Sequence, residues 1–329
     1  MSGLRVLALF GQMKHCRSDN EQTRIIATEL ANGGTLYKKE IFFNIFIRLP
    51  YFILSIIPVW LLIKHVDDFK DIEDCDVIVV SGKKMIKFAK HIRHYMFPNT
   101  KIVQIGNPVC AIRKNDILIR QETSRFIYTG KNTIKVNGLL CDKIDDTIYQ
   151  ENSEKFSKIK ETLSGDFIGV FIGGDRYRYK FTVYNATAFA KLISKIAHNM
   201  QMSLLIAIDG KLNKETINAL KQNLDCSYYF FEKQKNTESP KIAFMNWSKY
   251  YILHGNIIND QSEYIAQGKP TYVYLTKENR KRYLHFIEVA VKNGSIRILS
   301  DDSEEVLKDF VPTKMNDIKN ISEQIKSML

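Results

Sequence analysis

The stretch Phe167-Ile168-Gly169-Val170-Phe171-Ile172-Gly173-Gly174-Asp175-Arg176-Tyr177-Arg178-Tyr179-Lys180 decides the fold. It begins as an apolar run with the make-up of a buried parallel strand. Gly173 and Gly174 then let the chain turn tightly and let backbone N–H groups approach a ligand. Arg176, Arg178 and Lys180 follow at once, before a helical pattern from Val183 to Asn199. A strand, a glycine turn and a helix start with cations together suit a phosphate. The same residues also suit a plain βα turn with solvated charges, and the glycine pair alone does not separate the two.

Working outward, this strand opens a second copy of an architecture that begins at Leu4. Strands are expected at Phe167–Ile172, Ser203–Ile208, Tyr228–Phe231, Lys249–Leu253, Thr271–Leu275 and Ser295–Leu299. Helical patterns fill the gaps at Val183–Asn199, Asn213–Asn223, Ile242–Asn246, Asp260–Gln267 and Arg280–Lys292. The first half shows the same alternation. Leu4–Phe10, Asp76–Gly82, Lys101–Gly106, Asp116–Gln121, Arg125–Thr129 and Thr133–Val136 read as strands. A helix runs to Leu30 with Ser18 as its N-cap and Glu21 as the capping-box partner, and another spans Lys84–Phe97. Alternating β and α predicts an α/β protein with two doubly wound, parallel-sheet domains facing a cleft. The domains are expected at 1–155 and 156–314, with a helical tail over 315–329 and a polar linker over Asp142–Lys160. Ligands of such sheets bind at the carboxyl ends of the strands. No G-x-G-x-x-G follows either first strand, which disfavours a dinucleotide oxidoreductase.

The chain has 329 residues and a net charge of +12. Ten Lys or Arg residues fall between Lys83 and Arg125 against Asp116 and Glu122. Such a surface favours phosphates or an anionic membrane. A nucleic-acid partner would want a reading motif beside the charge, and there is none. Five scattered cysteines without a CxxC pair suggest neither a zinc site nor a disulfide framework. His91 and His94 lie three apart without a nearby third ligand, so they read as solvated or partly buried side chains rather than metal ligands. The N-terminus leads straight into a buried-strand pattern, without a charged region and cleavage site. A reducing compartment, the cytoplasm, is the expected location. Ile41–Ile63 is the most apolar stretch, and Arg48, Pro50 and Pro58 interrupt it. It reads either as buried helices of the first domain, one starting at Pro50, or as an interfacial patch anchored by Tyr51 and Trp60. The second alternative places the protein peripherally on the inner face of the cytoplasmic membrane.

The other informative stretch is His254 to Pro270, His-Gly-Asn-Ile-Ile-Asn-Asp-Gln-Ser-Glu-Tyr-Ile-Ala-Gln-Gly-Lys-Pro. Spacing alone reads Glu263 as a helix-start glutamate complementing the dipole. An acid there can also accept two hydroxyl hydrogen bonds from a ribose. The chain resembles the mitochondrial-fission-ELM-like glycosyltransferases of bacteria and plants. Their pattern Asp-Ser-x-x-Met-x-Ser-Glu-Ala-x-x-x-Gly-Lys-Pro-Val is similar to the stretch through Ser262-Glu263 and Gly268-Lys269-Pro270. A strand ending Ile-Gly-Gly before a basic, aromatic loop is matched by Ile172-Gly173-Gly174 and Arg176-Tyr177-Arg178-Tyr179. Asn20-Glu21-Gln22 and Gln104-Ile105-Gly106-Asn107-Pro108 are similar to two further family stretches. The chain departs from the family at Asn256-Ile257, where the pattern has Asp-Ser. It departs again at Asp209-Gly210, where a strand usually ends in Ser/Thr-Arg-Arg.

The resemblance implies the two-Rossmann-domain fold of the GT-B class, whose C-domain holds a nucleotide-sugar and whose N-domain presents the acceptor. It implies transfer of a sugar to an envelope glycan or lipid-linked acceptor, with the nucleotide-sugar as co-substrate and no cofactor or metal. Gly173, Gly174 and Arg176 would neutralise the diphosphate, Ser262 and Glu263 would complete the donor site, and His15 or Asp19 would be the general base. Two alternatives stand beside this: a membrane-associated scaffold that kept the fold without the chemistry, and a nucleotide-sugar epimerase.

Overall fold

The computed structural model describes residues 3–12, 16–82, 84–107, 116–123, 130–175, 179–234, 237–255, 258–279, 281–299 and 306–329, and at 51, 52 and 55 the backbone alone. The chain forms two compact units, Met1–Cys141 with Asn316–Leu329, and Asp142–Met315.

In the first unit, β1 (Arg5–Gln12), α1 (Arg17–Leu30), β2 (Thr35–Phe43), α2 (Tyr51–Ile56), β3 (Ile63–Val66), β4 (Val77–Ser81), α3 (Met85–Tyr95), β5 (Lys101–Ile105), β6 (Ile117–Gln121) and β7 (Thr133–Val136) follow in order. The sheet order is β3-β2-β1-β4-β5-β6-β7. Every neighbouring pair is parallel except β2 with β3. The period-2 alternation of the strands serves both faces. Leu7, Leu9, Ile78 and Val80 pack with α3 and the short helices, whereas Val6, Ala8, Val77 and Val79 pack with α1. A capping box at Ser18 does not form. Cys16 is the N-cap and makes no side-chain cap, Ser18 lies inside α1, and Glu21 pairs with Arg24 instead. The expected strand Arg125–Thr129 lies outside the described residues.

The second unit contains α4 (Asp146–Lys155), α5 (Ser157–Glu161), β8 (Phe167–Ile172), α6 (Val183–Met200), β9 (Ser203–Ile208), α7 (Lys214–Asn223), β10 (Tyr228–Glu232), α8 (Lys241–Trp247), β11 (Ser248–His254), α9 (Ile258–Ala266), β12 (Thr271–Tyr274), α10 (Lys281–Lys292) and β13 (Arg297–Leu299). Its strands pair in the order β10-β9-β8-β11-β12-β13, all parallel. Ile168, Val170 and Ile172 face α6 and α7, while Phe167 and Phe171 face α8, α9 and α10. Thr182 caps α6 by accepting the Asn185 N–H at 3.2 Å, and Asn213 caps α7 through Glu215. The chain closes with α11 (Ile318–Met328), whose Ile321 and Ile325 join the core of the first unit.

The polar segment Asp142–Lys160, expected to be a linker, is part of the second unit. It carries α4 and α5, and Ile144, Tyr149 and Ile159 pack against the core of the second unit. Asp145 caps α4 through the Thr147 N–H at 2.8 Å. The apolar stretch Ile41–Ile63 is not built of buried helices, although a short helix does start at Pro50 as expected. It contains the end of β2, a 3₁₀ turn at Ile45–Arg48, α2 with Pro50 as N-cap, and a second 3₁₀ turn at Val59–Leu61. Ile47, Leu54, Val59 and Leu62 point inward, while Ile45, Phe46, Ile56 and Trp60 are exposed, Ile56 by 83% and Trp60 by 67%. Two lysines of the α3 region hold the segment in place. Lys84 donates to Ile47 O, and Lys87 donates to Leu54 O and Ile57 O at the carboxyl end of α2. No helix among the described residues is long and apolar enough to cross a membrane.

Candidate functional site

In the second unit the strand order reverses between β8 and β11, the topological switch point of such a sheet. The Gly173 N–H donates to His254 O at 2.8 Å, tying the two central strand ends together. Gly174 is buried against the turn that follows β9. A Cβ on it would lie 2.5 Å from Lys211 N and 2.6 Å from the Gly210 Cα, and a Cβ on Gly210 would lie 2.3 Å from Gly174 N. Glycine is therefore demanded at 174 by the approach of one loop backbone to another. Asp175 fixes the start of the basic loop. Its N–H donates to Lys211 O at 2.9 Å, and its Oδ1 accepts the Phe181 N–H at 2.9 Å. Arg176 lies outside the described residues. A concavity opens at these strand ends, lined among others by Gly173, Asp209, His254, Gly255, Asp260 and Tyr264.

His254 is buried among the rings of Phe181, Phe189 and Tyr274. Its Nδ1 lies 3.1 Å from Tyr274 O and its Nε2 2.7 Å from the Tyr179 hydroxyl. A carbonyl can only accept, so Nδ1 carries the proton and Nε2 accepts from Tyr179. Burial pushes the imidazole pKa down to about 4, against the opposing bond to Tyr274 O. Neutral His254 thus anchors the far end of the basic loop through Tyr179.

Asp209, at the end of β9, receives the Tyr264 hydroxyl at 2.9 Å and the Lys241 ammonium at 3.3 Å. Lys241 also reaches Glu263 Oε2 at 3.4 Å and lies 4.5 Å from the centre of the Tyr264 ring. Burial alone would lower the Lys241 pKa, but the charges of Asp209, Glu263 and Asp260 outweigh it and hold the ammonium above its usual range. Glu263 sits in the second turn of α9, half exposed, beside this cluster. Ser262 does not reach the concavity. It is fully buried, and its hydroxyl donates to Ile258 O one turn back in the same helix. Lys269 is also structural: its ammonium donates to Met245 O, Asn246 O and Ser248 O at 2.7–2.8 Å, closing the end of α8. Burial pushes its pKa down to about 8.

In the first unit the switch point lies between β1 and β4. Asp19, in the first turn of α1, reaches across to it, and the Ser81 hydroxyl donates to Asp19 Oδ1 at 3.3 Å. Gly82 follows with φ +87, and a Cβ there would lie 2.4 Å from Asp19 Oδ2. Burial raises the Asp19 pKa above the ordinary carboxylate value, partly offset by the Ser81 bond. Gly11 lies inside β1 rather than at its end. Asn20 clamps it, accepting the Gly11 N–H and donating to Gly11 O, both at 3.0 Å. His15 lies outside the described residues. His91 and His94 pack their rings on Tyr95. Among the described residues no group of three or more His, Cys, Asp or Glu could hold a metal ion.

The roles of His254 and Asp209 were not assigned from the sequence, although each directly ends an apolar strand run, which is the available signal. Lys241 carries no such mark, because it comes from a helix 32 residues beyond Asp209.

A UDP-GlcNAc 2-epimerase from Methanocaldococcus jannaschii has a similar fold, with a TM-score of 0.54 and 11% identity over 99% of this chain and 99% of that one. A glycosyltransferase from Rickettsia africae aligns with a TM-score of 0.47 and 12% identity over 100% of this chain and 88% of its own. The two parallel-sheet units are those of the GT-B class, which includes glycosyltransferases and epimerases. In sequence, the uncharacterized protein RP120 of Rickettsia prowazekii is 24% identical over 94% of this chain and 95% of its own length. The family described as mitochondrial fission ELM1 matches residues 11–329, nearly the whole chain from the end of β1 through α11, and the chain belongs to that family.

Proposed function

We propose that this protein is a metal-independent glycosyltransferase that moves a sugar from a nucleoside diphosphate to an envelope glycan or lipid-linked acceptor. The supporting observation is the concavity at the β8–β11 switch point, with the Glu263 carboxylate beside it. Open parallel sheets take nucleotides at this place. Glu263 accepts the ribose hydroxyls. The diphosphate lies toward Gly173 and the loop that carries Arg176, Arg178 and Lys180, whose cations stabilise it as it leaves. Asp19 takes the proton of the acceptor hydroxyl as the new glycosidic bond forms and the bond from the sugar to the diphosphate breaks. Its raised pKa makes it a stronger base than an ordinary aspartate. His15 is the other base candidate.

Calorimetric titration of Arg176→Ala and Glu263→Gln with nucleoside diphosphate and free nucleoside tests the donor site. Arg176→Ala should weaken the diphosphate alone, by about tenfold or more, since a charge-assisted contact contributes roughly 1.5–3 kcal/mol. Glu263→Gln should weaken both ligands. Arg176→Ala binding the diphosphate as tightly as wild type would make the glycine stretch an ordinary βα turn. The fold it shares with a UDP-GlcNAc 2-epimerase gives an epimerase reading its support. Deuterium from solvent appearing at the sugar C2 would establish epimerisation in place of transfer. Binding without either reaction would mark a scaffold.

A lipid-linked acceptor lies at a membrane, and exposed Ile45, Phe46, Ile56 and Trp60, flanked by exposed Arg48 and Lys64, support peripheral attachment there. Apolar side chains with an aromatic anchor and flanking cations suit the headgroup region of an anionic bilayer.

A further inference from the structure

We infer that Lys241 is the positioning residue for the ribose-binding carboxylate, and that preference for a ribonucleotide over its 2′-deoxy analogue depends on it. The inference rests on the placement of the ribose at Glu263. A glutamate on a helix surface has three rotatable bonds, and holding it in one conformation costs side-chain entropy. Lys241 supplies that constraint before any ligand arrives. Its ammonium is 3.4 Å from Glu263 Oε2 and 3.3 Å from Asp209 Oδ2, and it lies over the Tyr264 ring. Only 18% of its side chain is accessible, against 52% for Glu263. The lysine is therefore the fixed partner and the glutamate the reaching one.

The anchor is itself anchored. The Tyr264 hydroxyl donates to the same Asp209 Oδ2 that Lys241 contacts. Tyr264 is buried and stacks on Phe171 of β8, with ring centres 4.2 Å apart. Lys241 is the first residue of α8, whose Ala243, Phe244 and Met245 are fixed in the core. One ammonium thus ties α8, the end of β9 and α9 to a single geometry. An ionised carboxylate has about four acceptor positions and the lysine takes one, so a vicinal diol can still be accepted. The same cation offsets Asp209 and Asp260, which line the concavity and would otherwise oppose a diphosphate. Loss of Lys241 should therefore weaken all nucleotides to some degree. Its specific signature is the loss of discrimination at the ribose.

The test uses the full chain and calorimetric titration with UDP, ADP, GDP and CDP, each paired with its 2′-deoxy analogue. Wild type should bind at least one ribonucleotide about tenfold more tightly than the deoxy form, the size of one charge-assisted hydrogen bond. Lys241→Met should bring the two affinities within about twofold, and Lys241→Arg should restore most of the preference, because a guanidinium can bridge the same two carboxylates. Glu263→Gln should abolish the preference as well. A folded Lys241→Met that keeps the wild-type preference, while Glu263→Gln loses it, overturns the role of Lys241 and leaves the ribose site standing. A Glu263→Gln that keeps the preference overturns the ribose site, and with it the role of Lys241. Failure of all four ribonucleotides to bind overturns both.

Discussion

Burial disfavours the charged form of both His254 and Asp19, with opposite consequences for the pH dependence of stability. His254 is neutral in the fold because its ring nitrogens are committed to Tyr274 O and Tyr179 and its faces to aromatic rings. Its folded pKa of about 4 lies below the ordinary histidine value of 6.5. Below that value the unfolded chain takes a proton that the folded chain refuses. The stabilisation is therefore complete above about pH 6.5 and is lost as pH falls toward 4. Urea denaturation should show a loss of about 2 kcal/mol between pH 6.5 and about pH 5 from this group, absent in His254→Gln. An unchanged slope in that variant would mean His254 is not buried neutral. Asp19 is the reverse case. Its raised pKa means the fold disfavours the ionised form, so stability falls as pH rises through the carboxylate range. Asp19→Asn should melt higher than wild type at neutral pH and transfer sugar at least about a hundredfold more slowly. A more stable variant with full activity would remove Asp19 from the reaction.

At the scale of elements, the glycine turn after β8 depends on its counterpart after β9. Gly174→Ala places a methyl group inside the van der Waals radius of the Lys211 and Gly210 backbone. It should cost about 2 kcal/mol or more, read as a drop in the urea midpoint. A neutral substitution would show that the two loops are not packed together. Gly174 is thus a poor probe of ligand contact, and Arg176 a better one. The apolar run Phe167–Ile172 predicts β8 with its boundaries, because a strand buried on both faces leaves no polar residue to blur them. Thr133–Val136 is likewise found as predicted. β2 and β3 escape notice because β3 is a short edge strand and, in β2 beside it, Lys38, Lys39 and Glu40 interrupt the apolar pattern and hide the strand. The stretch Ile41–Ile63 reads in sequence either as buried helices or as an interfacial patch, because apolar residues facing the core and apolar residues facing solvent have the same composition. Ile56→Ser with Trp60→Ser should leave the fold intact and weaken co-sedimentation with anionic vesicles at low salt. Equal recovery of wild type with and without vesicles would exclude the membrane patch.

Across the whole molecule, each unit places its candidate chemistry where its strand order reverses: Asp19 beside Ser81 in one, and Gly173 with His254 in the other. Alternation of β and α foretells the parallel sheets, and the order of their strands sets where the switch points fall. What the sequence left hidden is the side-chain wiring, above all Lys241, which long-range packing brings to Asp209 and Glu263. The net charge of +12 fits a protein whose partners carry phosphate, whether nucleotide or lipid. Binding of a nucleoside diphosphate at the switch point of the second unit underlies the proposed function. Its most direct test is the thermal stability of the full chain against a panel of nucleoside diphosphates and nucleotide-sugars, with Glu263→Gln measured beside it. A ligand that binds only the folded state at a hundredfold excess over its Kd adds about 2.7 kcal/mol. A rise of several degrees is expected with at least one nucleoside diphosphate, and a much smaller rise in Glu263→Gln. No shift with any of the panel at millimolar concentration would contradict it.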